Sequence, residues 1–276
     1  MQIPDIGKLK ALVKVAAREE LMTEFGHSEY EFKDDGSVVT PADLAMQNRL
    51  EKELKQHWPL YDILGEEMSE QAQLSVIKVA DETEGGGYWC IDPLDGTSNF
   101  AAGLPFFAVS IALIIDGQQQ LGLIYDPVRD EMFTAIKGQG AYLNDSKISH
   151  SQLAFSKCKP IVAEIDLKRL PEKLAVKLVT ESIFASQRNI GSSAIDWCWM
   201  SAGRFDIYLH GGQKMWDYAA GSLIFSEAGG RSVSLDGESV FRGKLETRSV
   251  LACYDTELFD YWYEWTLEAV NNKNKF

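Results

Sequence analysis

At 276 residues the chain has room for one large or two modest domains around a sizeable core. Its 45% hydrophobic, 25% charged and 11% aromatic residues are the proportions of an ordinary globular protein and exclude a disordered or fibrous one. Acids outnumber bases by 41 to 27, a formal charge of -14, which repels a phosphate backbone and argues against general nucleic-acid binding.

The four cysteines, Cys90, Cys158, Cys198 and Cys253, form no C-x-x-C or zinc-like spacing. Three stand in apolar surroundings, where a reduced buried thiol is the commonest reading. The start MQIPDIGKLK shows no basic leader ahead of an apolar core, and no later apolar run nears the ~20 residues of a membrane span. A soluble, cytoplasmic protein is the expectation.

In chain order, Ile6, Leu9, Leu12, Val13, Ala16, Ala17, Leu21 and Phe25 fall on one helical stripe that Gly26 closes. Thr40-Pro41-Ala42-Asp43 puts a hydroxyl at an N-cap, proline at the first helical position and an acid at the third; Ala42, Ala45, Met46, Leu50 and Leu54 line the helix that follows. Short strands are expected around Ile63 and Trp89, the second ended by Pro93. From Phe106 to Leu143, Asp116-Gly117 and Asp126-Pro127 separate apolar runs, the pattern of an antiparallel meander. Later elements alternate: strand Ile161 to Ile165, helices Pro171 to Ile183 and Ser192 to Ala202, strand Phe205 to Leu209, helix Asp217 to Ala228. Strands Arg231 to Leu235 and Ser249 to Cys253 and a terminal helix complete the pattern. An α+β half, 1–145, thus precedes an α/β half, 146–276, with a hinge candidate from Asn144 to Ser151. Layered sheets and helices are the expected architecture.

The stretch WCIDPLDGTSNF, 89–100, leaves an apolar strand on two acids three positions apart, Asp92 and Asp95. Asp-Pro and Asp-Gly are common turn dipeptides, so alone this fits a plain turn. Leu64-Gly65-Glu66-Glu67 repeats the device. Asp217 and Asp43 each stand at a helix start, where capping and the helix dipole are sufficient reasons for an acid. These local explanations do not say why four such acidic sites fall at strand exits and helix entrances among small residues. Converging carboxylates repel one another unless a cation lies between them, and hard oxygen donors without a His or Cys cluster select Mg2+ or Mn2+ over zinc. His27, His57, His150 and His210 show no metal-binding spacing.

Ile91-Asp92-Pro93-Leu94-Asp95-Gly96-Thr97-Ser98-Asn99-Phe100 and Trp216-Asp217-Tyr218-Ala219-Ala220-Gly221, running on to Glu227-Ala228-Gly229-Gly230, with Gly65-Glu66-Glu67 upstream, resemble the signatures of the inositol monophosphatase family of Mg2+-dependent, lithium-sensitive phosphatases. The likeness covers most of the chain. It implies a layered α-β-α-β-α sandwich of the inositol monophosphatase / fructose-1,6-bisphosphatase type, with most metal ligands in the first half and Asp217 and the substrate loop in the second. It implies two or three Mg2+ ions, with Mn2+ as a substitute, held by Glu66, Asp92, the Leu94 carbonyl, Asp95 and Asp217. Asp95 would bridge two ions, and Asp43 matches an acid associated with a third. Lys33-Asp34-Asp35-Gly36-Ser37 resembles a mobile loop that closes nearby. Glu66, Thr97 and Asp43 are the catalytic candidates. The N–H groups of Gly96 and Thr97 would hold phosphate oxygens, and Gly191, Ser192, Ser193, His210, Lys214 and Asp217 would meet the substrate.

Seven residues before Asp217, a position usually Glu in enzymes that grip inositol hydroxyls, stands His210. The change removes an acceptor and could introduce a donor or cation. Lys214 reads first as a solvated surface lysine, with a contact to a second phosphate as the alternative. Inositol phosphate is therefore the default substrate, with fructose-1,6-bisphosphate, adenosine 3',5'-bisphosphate, NADP and histidinol phosphate as alternatives. A different class stays open, a partner-binding protein acting with the transcription machinery, as some bacterial members resembling this chain do. The aromatic tail Phe259 to Trp265 is expected to pack on its own domain or at a subunit interface. The resemblance implies a homodimer.

Overall fold

The computed structural model describes residues 3–33, 36–149 and 160–271. Helix α1 (Ile6–Ala16), N-capped by Asp5, runs into one wider π turn at Ala17–Leu21. A small hairpin, β1 (Glu31–Phe32) and β2 (Val38–Val39), leads to α2 (Pro41–His57). There the expected capping box forms: the Thr40 N–H and hydroxyl donate to Asp43 Oδ2 at 2.8 and 2.6 Å. Strand β3 (Asp62–Gly65), α3 (Glu70–Asp81), β4 (Gly87–Asp95) and the short α4 (Thr97–Ala101) follow. The meander is β5 (Ala108–Ile115), β6 (Gln118–Asp126), β7 (Glu131–Ile136), β8 (Ala141–Leu143) and β9 (Ser146–Lys147). Strands β3 to β9 make one sheet in sequence order, antiparallel except for the parallel pair β3 and β4. The β5–β6 turn needs both central residues left-handed, and Asp116 (φ 49°) with Gly117 (φ 66°) supplies them.

The remaining elements are β10 (Val162–Asp166), α5 (Glu172–Thr180), β11 (Ser186–Arg188), α6 (Ser193–Ser201), β12 (Ile207–Gln213), α7 (Met215–Glu227), β13 (Arg231–Val233), β14 (Arg248–Cys253) and α8 (Thr256–Asn271). Their sheet has the order β11-β10-β12-β14-β13, parallel among the first three strands and antiparallel at β14. The edge strand β11 has no apolar run to announce it in the sequence. Of the expected hinge, residues 150 and 151 lie outside the described residues, and β9 pairs with β8 in the first sheet.

Five layers result. Leu9 and Val13 of α1 and Met46, Leu50 and Leu54 of α2 pack with Trp89, Ile91, Val109, Ile111 and Leu113 on one face of the first sheet. The alternate residues Tyr88, Cys90, Ala112 and Ile114 face α6 and α7, whose other side meets Tyr208, Val250 and Ala252 of the second sheet. Beyond that sheet, Ile165, Ile207, Leu209 and Leu251 meet Leu174 and Leu178 of α5 and Phe259, Trp262 and Trp265 of α8. This is the α-β-α-β-α order, and the aromatic tail packs on its own sheet. Sandwiched between two sheets, α7 is buried on nearly all sides from Met215 to Phe225. The helix nevertheless carries an acid, Asp217, in its first turn.

Pro93 does not end its strand. Strand β4 continues to Asp95, with Asp92 opposite Ser110 and Asp95 opposite Ala108, three steps on one strand against two on its neighbour. One extra residue makes a bulge, where a residue without an N–H breaks no ladder bond. The bulge has a second effect. In a regular strand positions i and i+3 point to opposite faces; the inserted residue brings Asp92 and Asp95 to the same side.

Candidate active site

Asp92 and Asp95 at the exit of β4 and Asp217 at the start of α7 bring carboxylate oxygens within 4.8 Å of one another. The first two come from the first sheet and the third from the helical layer packed on it, so the site exists only when α7 is seated against β4. Protein donors engage one oxygen of each: the Leu94 N–H gives to Asp92 Oδ1 at 3.0 Å, the Ala194 N–H to Asp95 Oδ2 at 2.7 Å and the Lys214 N–H to Asp217 Oδ2 at 2.8 Å. Each carboxylate is thereby fixed while lone pairs stay available. Burial, and for Asp92 and Asp217 the charges of their neighbours, push all three upward, Asp95 to about 6. Three converging acids strained toward protonation, all hard oxygen donors, fit a divalent cation such as Mg2+.

Glu66 stands beside this cluster and raises the burden on Asp92 and Asp217. Its own carboxyl is pushed up to about 7, first by burial and further by Glu67, with Lys33 opposing. Lys33 Nζ donates to Glu66 Oε1 at 3.1 Å and to Glu67 Oε1 at 2.6 Å. Burial works against that ammonium, but the two glutamates outweigh it and hold it charged beyond the usual lysine range. Lys33 thus brings the β1–β2 loop onto the acidic site; Asp34 and Asp35 of the same loop lie outside the described residues. Two glutamines hold the Gly65-Glu66-Glu67 turn from either side. Gln47 Oε1 accepts from the Glu67 N–H at 3.1 Å, and Gln73 Nε2 donates to the Gly65 carbonyl at 2.8 Å. Neither was singled out from the sequence, although both interrupt the buried stripes of α2 and α3.

The Thr97 hydroxyl lies 2.9 Å from both Asp43 Oδ1 and the Leu94 carbonyl. With Asp43 Oδ2 occupied by Thr40 and the residue only 1% exposed, the cap acid of α2 doubles as the fixed partner of Thr97. Gly96 permits this approach. Its φ is 92°, and a Cβ there would meet the Phe106 carbonyl oxygen at 2.8 Å.

Across the cleft, the loop before α6 is tied to the first half. Ser192 Oγ donates to Asp95 Oδ2, and Asn99 Nδ2 donates to the Phe106 and Ile190 carbonyls at 2.8 and 2.9 Å. Behind the loop, buried Glu164 Oε1 accepts from the Ile190 N–H at 3.1 Å. Of the expected substrate residues, Gly191 is exposed and Ser193 half-buried, whereas Ser192 is buried with its hydroxyl committed to Asp95. His210 is also buried; its Nδ1 accepts from the Gly212 N–H at 3.0 Å, and Nε2 lies 3.5 Å from Asp166 Oδ2. Burial pushes it down to about 4, so it is a neutral imidazole at pH 7 and not a cation. Lys214 is exposed at the N-cap of α7.

The sequence profile described as "Inositol monophosphatase family" matches residues 6–273. Among curated relatives, "Nus factor SuhB" of Pasteurella multocida is 35% identical over 208 residues, covering 74% of each chain. "Inositol monophosphatase 1" of Solanum lycopersicum is 38% identical over 205 residues, covering 72% of each. The solved structure of a Thermotoga maritima IMPase superposes with a TM-score of 0.80 at 25% identity, over 96% of this chain and 98% of that one.

Proposed function

The chain belongs to the inositol monophosphatase family, and from that premise we propose that it hydrolyses a small-molecule phosphate monoester with Mg2+ and an activated water. The observation that carries the reading is the meeting within 4.8 Å of Asp92 and Asp95, from the exit of β4, with Asp217, from the first turn of α7. Glu66, Asp92, the Leu94 carbonyl, Asp95 and Asp217 are the residues that would hold two Mg2+ ions, with Asp43 beside a third. Bound there, the metal supplies Lewis acidity, neutralising the ester's charge and acidifying a water. Thr97, aligned by Asp43, orients the attacking water, and Glu66, once free of Lys33, accepts its proton. The N–H groups of Gly96 and Thr97 receive phosphate oxygens, while Gly191, Ser193 and Lys214 border the alcohol and His210, with Ser192, shapes the wall behind them.

An inositol-1-monophosphate-type ester is the default substrate, with a bisphosphate or histidinol phosphate as the alternative. The relative named Nus factor SuhB and the charge of -14 favour a second reading, a protein partner within the transcription machinery. The experiment is Mg2+-dependent phosphate release from myo-inositol monophosphates, fructose-1,6-bisphosphate, adenosine 3',5'-bisphosphate, NADP and histidinol phosphate, with Asp95→Asn as the blank. Release by the parent that drops by orders of magnitude in Asp95→Asn supports hydrolysis. No release from a folded, metal-loaded protein, together with a pull-down of transcription proteins that Asp95→Asn leaves unchanged, turns the assignment to the second reading.

A further inference from the structure

We propose that the turn Lys168-Arg169, at the exit of β10, is a subsite for a second phosphate group on the substrate, so that this chain selects bisphosphorylated over monophosphorylated alcohols. The proposal rests on the phosphatase reading of the acidic site and adds the substrate class.

The turn is built to face outward with its cations. Strand β10 pairs in parallel with β12, and Asp166 stands opposite His210. Immediately after Asp166 the chain reverses, with Arg169 at φ 61°, a left-handed conformation unfavourable for any residue but glycine. The one acid of the turn points inward: Asp166 Oδ1 accepts from the Lys168 N–H at 2.6 Å, and Oδ2 faces His210 Nε2 at 3.5 Å. Lys168 and Arg169 are exposed.

The turn also has a fitted seat beside the site. Strand β12 is irregular between His210 and Gln213. There a Cβ on Gly211 would sit 2.4 Å from both the Arg169 carbonyl carbon and the Lys168 carbonyl oxygen, and one on Gly212 would sit 3.2 Å from Arg169 Cδ. Arg169 Nη1 donates to the Gly212 carbonyl at 2.7 Å, five residues before Asp217. Its charge reaches both Asp217 and His210. Exposed Lys214 lies between this seat and Asp217 in the chain.

What sets these cations apart is their place beside Asp217. In a chain with 41 acids against 27 bases, Lys10, Lys14, Lys33, Arg49, Arg129, Arg204, Arg231, Arg242 and Arg248 all have acidic partners. Among the described residues, Lys168, Arg169 and Lys214, like the surface cations Lys52, Lys55 and Arg188, have none within ion-pair distance, but these three stand beside the acidic site. A guanidinium with free N–H groups presents the planar donor fork that phosphate oxygens match. At this lip a second phosphate beside the carboxylate cluster meets the charges of Lys168, Arg169 and Lys214, none of them paired with an acid.

The test is steady-state kinetics with Mg2+ on matched pairs: fructose 1-phosphate with fructose 1,6-bisphosphate, and adenosine 3'-phosphate with adenosine 3',5'-bisphosphate. The parent is expected to favour the doubly phosphorylated member of at least one pair by tenfold or more in kcat/KM. In the double variant Lys168→Gln, Arg169→Gln that preference falls about tenfold, chiefly through KM of the bisphosphate. Arg169→Gly suits the left-handed backbone, so its melting temperature stays at or above the parent's while the preference still falls. Release without discrimination in the parent, or equal losses on both members of a pair in the variants, overturns the subsite and leaves the phosphatase reading standing. No Mg2+-dependent release from the four alongside release from myo-inositol monophosphates overturns the subsite alone; no release from either set overturns the phosphatase reading and the subsite with it.

Discussion

Thr97 is a small residue whose surroundings leave it one orientation. Its hydroxyl is bracketed by Asp43 Oδ1 and the Leu94 carbonyl, each 2.9 Å away, and Asp43 is itself locked by Thr40. A hydroxyl so constrained can point lone pairs at a water without the entropic cost of being ordered first. Thr97→Ser is therefore expected to keep kcat within several-fold, whereas Thr97→Val, equal in shape, lowers kcat by about 10²–10⁴ and, by leaving buried Asp43 Oδ1 without its donor, lowers stability by about 1–3 kcal/mol. A Thr97→Val enzyme of near-normal kcat would remove Thr97 from the catalytic set. Lys33 makes the complementary case, since it lies on Glu66 and Glu67 as a cation would. Replacing it with Gln leaves Glu66 unpaired and favours Mg2+ in its stead; calorimetric titration should show tighter Mg2+ binding, by roughly three- to tenfold, from the Coulomb energy of one partly buried pair. Weaker binding would mean that Lys33 organises the site and does not compete for it.

At the scale of elements, Asp217 is held in place by the fit of α7 between its neighbours. A Cβ on Gly221, one turn beyond Asp217, would lie 2.4 Å from both Cβ and Cγ of buried Trp197 on α6. Gly221→Ala must push the helices apart, so urea denaturation should show a loss of about 1–3 kcal/mol, accompanied by weaker Mg2+ binding. A loss of stability with unaltered Mg2+ binding would show that α7 tolerates displacement without moving its acid. The contrast between α7 and β4 explains what the sequence could disclose. Helix α2, with its capping box and stripe, the antiparallel meander and the alternating elements around β10, α5, α6, β12 and α7 were legible because each is written in local turn chemistry and a 3.6- or 2-residue period. The bulge at Pro93 was not, because proline reads locally as a stop and only the pairing with β5 shows that the strand continues. Among the site acids, Glu66, Asp92, Asp95 and Asp217 could be singled out as unexplained charges near glycines. Gln47, Gln73, Asn99 and Glu164 could not, since a hydrogen bond made 8 to 91 residues away leaves no local pattern.

For the whole molecule, the two sheets meet around groups that resist ionisation. Folding takes Glu66 from an ordinary 4.5 to about 7 and Asp95 from 3.8 to about 6, and pushes Asp92 and Asp217 upward, burial being the first cause of each. Away from the cluster, Glu164 behind the Ile190 loop also rises to about 7 by burial. A carboxyl whose folded pKa exceeds its unfolded one binds more protons when folded, so the stability it contributes is present below the unfolded pKa and is lost as pH rises through the folded pKa. Protein freed of metal with EDTA should therefore lose stability between about pH 4 and pH 7. At about 1.4 kcal/mol per pKa unit, the loss amounts to a few kcal/mol, discounted for the partial exposure of Glu66. Asp130 and Asp236, whose pKa values are lowered, act in the opposite direction but below that window. Millimolar Mg2+ binds the ionised cluster and should restore the melting temperature strongly at pH 8 and hardly at pH 5. The share due to Glu164 is beyond the metal's reach and is expected to persist until Glu164→Gln removes it. A melting temperature of the EDTA-treated protein that is flat from pH 5 to 8, or a Mg2+ increment equal at both ends, would show that the acids are not held in the strained neutral state from which metal binding releases them.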